Sequence, residues 1–225
     1  MYDIVFIGYK EKYKDKNWKR LTDRFPMAKR VDSVKGLHQA HIKGAKMCWT
    51  KMFWIVDADA LILDNFNFTY KAEEWDEDIV HVWKCKNPIN GLLYGYGGVK
   101  LFPRQMTIDQ DVTSTDMTTS ISPRFRSMPE VSNLTEFNTD PFNTWKSAFR
   151  ECVKLSSKVI DRQKDTETED RLDVWCTVDN GDFGDYCVAG AKQGREYGTA
   201  NIGNTDALKK INDFNWLQER FNEQN

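Results

Sequence analysis

The sequence predicts an α/β fold: a mostly parallel sheet flanked by helices, with a helical C-terminal part. Three observations carry that expectation. Over residues 3–56 the apolar pattern reads strand, helix, strand, helix, strand, an order that right-handed crossovers turn into parallel neighbours. The run at residues 52–56 is apolar throughout and stops in Asp57-Ala58-Asp59. Beyond residue 136 the large apolar side chains recur at helical spacing.

Taken in order, residues 3–8 read as a short buried strand closed by Gly8, and residues 15–25 as a helix that Pro26 ends. Residues 28–31 supply a second strand. Residues 34–50 have helical spacing, with Leu37, Ala40, Gly44 and Met47 on one face, and residues 52–56 form the third strand. In open sheets built this way ligands sit at the carboxyl ends of strands, where Tyr9, Lys10, Asp32 and Asp57 fall. Residues 78–83 and 98–102 are further strand candidates around an irregular, Gly-rich stretch. Residues 105–135, rich in Ser, Thr, Asp and Met, read as a long loop or hairpin excursion with few core residues.

Asp140-Pro141 reads as an N-cap followed by proline at the first helical position. Trp145, Phe149 and Val153 give the helix that follows an apolar face. Residues 162–170 are strongly polar and expected to be exposed. Helical blocks follow at 183–197 and 205–221, the last with Leu208, Ile211, Phe214, Leu217 and Phe221 in register. The expected division is 1–104 as the α/β core, 105–135 as the excursion, and 136–225 as a helical region of the same domain.

Composition sets the bounds. A chain of 225 residues fits one α/β domain, or one with an appended helical piece. Thirteen Phe, 8 Trp and 8 Tyr provide a core. Lys plus Arg (32) nearly balance Asp plus Glu (34), so any grip on a phosphate backbone has to come from a local patch. Five cysteines without CxxC spacing read as reduced, intracellular thiols rather than a disulfide framework or zinc site. The chain enters a strand at once, without a signal peptide or membrane span, so a cytoplasmic location is expected.

The most informative stretch is Phe53 to Leu63. On a continuing strand Asp57 and Asp59 point to the same face. Two carboxylates that close, placed after a buried strand, repel each other and are costly to desolvate. Mg²⁺ or Mn²⁺ between them removes that cost and leaves positions for diphosphate oxygens. A metal there stabilises the charge that builds as a nucleoside diphosphate leaves. The competing reading is a solvated turn in which Asp57 caps and Asp59 faces water. The apolar run into the pair, and Leu61-Ile62-Leu63 after it, favour the metal.

With this motif in place the sequence resembles the GT-A glycosyltransferases, in which a strand ends in DxD. It resembles more closely a group of small GT-A-like proteins of T-even-like tailed phages. The resemblance is carried by Val31-Asp32-Ser33-Val34-Lys35-Gly36, the strand into Asp59, and His81-Val82-Trp83-Lys84. Its most specific piece is Asn87-Pro88-Ile89-Asn90-Gly91 with Tyr94-Gly95-Tyr96-Gly97-Gly98-Val99-Lys100. Phe137-Asn138-Thr139-Asp140-Pro141-Phe142 and Trp145 to Arg150 extend it, so that most of residues 1–200 is covered.

The resemblance implies a GT-A-like, Rossmann-type core over 1–104, a nucleotide-sugar donor (UDP-linked), and Mn²⁺ or Mg²⁺ on Asp57 and Asp59. Related phage enzymes add sugars, arabinose among them, to 5-hydroxymethylcytosine. The implied acceptor is therefore a hydroxymethylated pyrimidine in phage DNA, flipped out if the target is duplex, and the implied location is the host cytoplasm. One departure stands out. Many GT-A enzymes supply a C-terminal histidine to the metal, whereas His38, His41 and His81 all lie in the first half. Asp182 or Asp185 would substitute, or donor and water would complete the shell.

In such a fold Tyr9 and Lys10 lie by the base, Asp32 by the ribose, and Lys35 by the diphosphate; ordinary strand-end polarity is the competing reading. His38 and His41 read as structural or surface groups. Gly95, Gly97 and Gly98 allow backbone to approach a sugar, or simply form a turn. Trp83 and Tyr96 are stacking candidates against a core alternative. Asp140 is the candidate general base, against its reading as a cap. Lys146 and Arg150, four apart, would hold donor or DNA phosphate, or form a solvated face. Arg104, Arg124 and Arg126 would form the local basic patch. Two other classes remain open: a glycosyltransferase acting on a glycan or protein, and a sugar nucleotidyltransferase, whose usual Gly-rich signature is absent after the first strand. A non-enzymatic sugar- or DNA-binding module is a further alternative.

Overall fold

The opening apolar run forms β1 (Asp3–Gly8), followed by α1 (Lys14–Arg24), β2 (Lys29–Asp32), α2 (Leu37–Lys46) and β3 (Met52–Asp57), in the order predicted. The computed structural model describes residues 1–95, 97–114, 116–159 and 164–224. The chain divides into two units, Met1–Asn87 with Leu93–Glu136, and Pro88–Leu92 with Phe137–Asn225.

In the first unit β1 pairs in parallel with both β2 and β3, Gly8 beside Asp32 and Ile7 beside Asp57. The carboxyl ends of three strands are thereby aligned. Side chains alternate across the sheet. Ile4, Phe6, Met52, Trp54 and Val56 enter one core with Leu21 of α1. Val5, Phe53 and Ile55 enter another with Ala40 and Ala45 of α2. The two helices therefore cover opposite faces, and the winding reverses between β1 and β3. Such a reversal opens a crevice at the strand ends.

The first unit continues through β4 (Ala60–Ile62), β5 (Val80–Lys86), β6 (Leu93–Tyr94), β7 (Val99–Pro103), α3 (Arg104–Ile108), α4 (Met117–Ile121) and β8 (Phe125–Thr135). Among the described residues one sheet runs β2-β1-β3-β7-β5-β8-β4, with β6 also on β5. The expectation of a mostly parallel sheet is corrected. β7 is antiparallel to both β3 and β5, and β4 is antiparallel to β8. A parallel return needs a crossover, usually a helix, and the Pro- and Gly-rich link from β5 to β7 does not supply one.

Residues 105–135, expected as a loop or hairpin excursion, instead hold two short helices and β8, which pairs in parallel along β5. Hydrophobic patterning misses β8 because several of its buried positions are polar. Ser132 Oγ donates to Asn133 Oδ1 at 2.8 Å, and Asn133 Nδ2 donates to Thr135 Oγ1 at 3.1 Å. Burial there is made tolerable by hydrogen bonding rather than by apolar side chains.

The second unit holds α5 (Pro141–Ser156), α6 (Asp165–Thr177), α7 (Gly184–Ala200), α8 (Thr205–Lys209) and α9 (Phe214–Gln224). Part of the polar stretch 162–170 thus becomes α6; residues 162 and 163 lie outside the described residues. Helices α5 and α7 touch backbone to backbone. A Cβ added at Gly190 or Gly194 would come within 2.4 Å of the Trp145 or Phe149 carbonyl oxygen. Trp145, Phe149, Val153, Leu208, Ile211 and Leu217 form the core of this unit. The single helix expected over 205–221 is interrupted at Asp213, which is extended and whose Oδ1 accepts from Asn215 N at 3.0 Å, opening α9. Among the described residues no helix is long and apolar enough to cross a membrane.

Candidate functional site

The chain turns at Ala58-Asp59 between β3 and β4, so Asp57 and Asp59 flank a turn and do not share a continuing strand. The turn is pinned from several directions. Ala58 N donates to Ile7 O at 2.9 Å, and Glu136 N donates to Asp59 O at 2.7 Å. The buried Asn17 on α1 donates through Nδ2 to Ala58 O at 3.1 Å and to Glu136 Oε2 at 3.0 Å.

The two carboxyls differ in electrostatic state. Lys100 Nζ donates to Asp57 Oδ2 at 2.8 Å, and Gly98 N donates to the same oxygen at 3.1 Å. Burial would raise the Asp57 carboxyl, but Lys100 outweighs it and holds the group below the usual carboxylate range. Lys100 is raised in turn, its burial outweighed by Asp57. Asp59 is pushed up to about 7, by burial first and then by the charges of Asp57 and Glu11, with Lys100 only a partial offset. One carboxylate has an internal counter-ion, and its neighbour lacks enough positive charge.

That imbalance is the test of fit for a hard cation. The donors are carboxylate oxygens, which suit Mg²⁺ and Mn²⁺. Among the described residues no three His, Cys, Asp or Glu side chains converge as a ready cage. An ion held by Asp57 and Asp59 would therefore draw its remaining oxygens from water and a phosphate-bearing ligand, as Mg²⁺ does where it serves phosphate chemistry.

A second polar cluster lies at the ends of β1 and β2. Lys14 Nζ donates to Asp32 Oδ1 at 2.8 Å and to Tyr9 O at 2.9 Å, and Arg30 donates to Asp32 Oδ2 at 2.8 Å. Burial opposes ionisation of Asp32, but Lys14 and then Arg30 hold its carboxyl low. Tyr9 N donates to Glu11 Oε2 at 2.6 Å, and the exposed Lys10 lies 5.4 Å from the Tyr9 ring centroid. Lys35 is exposed just ahead of α2. A hydroxyl approaching Asp32 would share the carboxylate with two cations.

Gly97 has open space where a side chain would stand. Gly98, at φ +94°, does not: an added Cβ would meet the Asn133 amide at 2.1 Å. Tyr96 lies outside the described residues. Trp83 is corrected from stacking candidate to core, buried with its ring centroid 4.5 Å from that of Trp54. His38 bonds Gln110 Oε1 at 2.7 Å, and the buried His41 bonds Leu37 O at 2.8 Å, consistent with structural roles. The expected basic patch does not form from free arginines. Arg124 and Arg126 pair with Asp78 and Asp76, and Arg104 Nε donates to Ala45 O at 3.1 Å.

Asp140, Arg150, Asp182 and Asp185 belong to the second unit. Asp140 caps α5: Oδ1 accepts from Asn143 N at 2.8 Å and Oδ2 from Asn143 Nδ2 at 2.6 Å. Burial would raise its carboxyl, but these bonds and that from Thr139 lower it. Arg150 Nε donates to Ile211 O at 2.8 Å and its Nη2 to Asn212 Oδ1 at 3.0 Å, tying α5 to the chain ahead of α9. Lys146 Nζ donates to Asn143 Oδ1 at 2.5 Å.

Sequence reasoning singled out neither Lys100 nor Asn17, Glu136, Glu11 and Lys14. Only Lys100 left a readable signal, a lysine inside the apolar run Val99 to Phe102. Comparison with protein families and with curated proteins finds no match to this chain.

Proposed function

We propose that the protein is a metal-dependent glycosyltransferase with a GT-A-like, Rossmann-type core that moves a sugar from a nucleotide-diphosphate donor, UDP-linked by preference. One observation carries the reading: the acidic pair Asp57 and Asp59 flanks a turn at the carboxyl end of β3, where the sheet's winding reverses, and Lys100 is bonded to Asp57. The resemblance of the DxD strand and the Gly97-Gly98 segment to GT-A enzymes supports it further.

Asp57 and Asp59 would hold Mn²⁺ or Mg²⁺, which supplies Lewis-acid stabilisation of the departing diphosphate. Lys100 keeps Asp57 ionised and adds positive charge beside the leaving group. Gly98 orients Asp57 through its N–H, and Asn17 with Glu136 holds the turn in place. Tyr9, Lys10, Asp32 and Lys35 are the proposed nucleotide-side residues, with Asp32 oriented by Lys14 and Arg30. Gly97 offers backbone that a sugar can approach. Asp140 is the proposed acceptor-side carboxylate, and its capping bonds weaken it as a base. Arg150 is the proposed phosphate contact, and within its own unit it bonds Ile211 O and Asn212 Oδ1.

The proposed acceptor is a hydroxymethylated pyrimidine in DNA, with the host cytoplasm as the compartment. A glycan or protein acceptor is the second reading, favoured by one observation: Arg124 and Arg126 are engaged by carboxylates, so these two arginines are not loose cations awaiting a phosphate backbone. Titrating the protein with UDP-sugars by calorimetry, with and without Mn²⁺, tests the class. Metal-assisted binding that Asp59→Asn removes is expected, and metal-independent or absent binding of every nucleotide sugar defeats the reading. Offering labelled donor to hydroxymethylated DNA and to saccharides separates the two acceptors.

A further inference from the structure

In the second unit, three helices bring three cysteines together. Cys152 of α5 and Cys187 of α7 are fully buried, whereas Cys176, in the last turn of α6, keeps 7% of its surface exposed. The α5–α7 packing at Gly190 and Gly194 is close and leaves little room between these helices. The Cys152 and Cys176 side chains lie within interaction range of each other. Cys176 also lines an open groove of about 980 Å³ together with Asp173, Thr177, Lys192 and Arg195. Arg195, paired with Asp173 at 2.8 Å and Glu169 at 2.6 Å, shares the groove lining with Cys176 and sets positive charge near its sulfur.

We propose that Cys176 is a peroxide-reactive thiol of this groove and that Cys152 is its resolving partner, so that the second unit carries a reversible disulfide between α5 and α6. The two sulfurs differ in the way such a pair requires. The Cys152 side chain, then Arg195 and Lys192, lowers the Cys176 thiol to about 7, while burial drives Cys152 well above the ordinary thiol range. Cys176 is thus the thiolate that attacks, and Cys152 is the protonated thiol that waits.

The steps balance. The Cys176 thiolate attacks one oxygen of hydrogen peroxide, the O–O bond breaks, and hydroxide leaves. Sulfur is oxidised by two electrons to a sulfenic acid as the peroxide is reduced. The Cys152 sulfur then attacks the Cys176 sulfur, the S–O bond breaks, and the departing hydroxide takes the Cys152 proton to leave as water. The remaining cysteines are poorly suited to the first step. Cys187 and Cys48 are pushed up to about 12 by burial, and Cys85 donates to Tyr94 O at 3.3 Å inside the sheet.

The test uses the intact chain. Brief iodoacetamide labelling at pH 7, mapped by mass spectrometry, is expected to modify Cys176 at least tenfold faster than each of the other four cysteines. Hydrogen peroxide is expected to yield a Cys152–Cys176 linked peptide that dithiothreitol reverses. In Cys152→Ser the oxidation is expected to stop at a Cys176 sulfenic acid that dimedone traps. Cys176 reacting no faster than the others, or peroxide giving no disulfide or a different pair, overturns the proposal. The labelling arm is read on the unaltered protein, so a poorly folding variant does not blunt it.

Discussion

Lys100 Nζ lies 2.8 Å from Asp57 Oδ2 across the antiparallel pairing of β3 and β7, which gives the first carboxylate of the pair a counter-ion built into the sheet. Lys100 stands opposite Ile55, two residues before Asp57, so both side chains reach the same face. Lys100→Met would leave that carboxylate unpaired; breaking a fully buried pair from one side costs about 3–5 kcal/mol, and this pair, with the Asp57 side chain 29% exposed, should fall below that range. The metal-free variant is expected to be destabilised accordingly, with Mn²⁺ restoring part of the loss and binding more tightly than to the unaltered chain. Urea denaturation with and without Mn²⁺ measures both, and equal metal affinity in the two proteins would count against a cation site here.

Asp59→Asn acts in the opposite direction. The Asp59 carboxyl is raised to about 7, so its favourable, protonated state is fully present below the unfolded value and is lost as pH climbs through 7. Removing the charge should stabilise the metal-free protein at pH 8 by about 1–3 kcal/mol, discounted for partial solvent screening. The gain should shrink toward pH 5. Denaturation at the two pH values reads the difference, and Mn²⁺-assisted donor binding should vanish in the same variant.

Gly98→Ala should be among the most damaging small substitutions. The residue sits at φ +94°, and the new methyl would meet the Asn133 amide at 2.1 Å. Strain and overpacking together predict a loss of about 2–5 kcal/mol. Pairing it with Asn133→Ala removes the collision but leaves the strained φ, so a double-mutant cycle should recover only part of the loss.

Asp140 is tested by separating shape from charge. Asp140→Ala removes the cap of α5 and should cost about 0.5–2 kcal/mol. Asp140→Asn can retain the cap. If Asp140 serves the acceptor hydroxyl as proposed, the Asn variant keeps its melting temperature but loses about 10²–10⁴ in kcat. Near-normal turnover in that variant leaves the residue a cap and nothing more.

Asp3 carries an acid-side linkage far from the proposed chemistry. Burial opposes its ionisation, but Lys29 and the backbone N–H groups of Trp49 and Thr50 lower it to about 2. Because the folded value is depressed, its stabilisation is present above the unfolded value and is lost as pH falls toward 2. Asp3→Asn should cost about 1–2 kcal/mol at pH 7, with the gap to the unaltered chain closing below pH 4.

Much of this molecule is written locally. Strands β1 to β3 and helices α1 and α2 follow from apolar spacing, because one buried face repeats with the period of the element that buries it. Asp140-Pro141 opens α5 because a short acidic side chain can accept the first free amides and proline lacks one. The apolar run ending in Asp57 and Asp59 placed acidic groups at a strand mouth by sequence order alone.

Tertiary structure decided the rest. The sheet became mixed because β7 returned without a crossover helix, and β8 escaped notice because Asn133 and its neighbours are buried by mutual hydrogen bonds. Lys100 took charge of Asp57 from 43 positions away, and Cys152 met Cys176 only when two helices packed. Periodicity records which face a residue shares with its near neighbours. A polar or charged group inside the fold is satisfied by a distant partner instead, and no spacing along the chain encodes that partner.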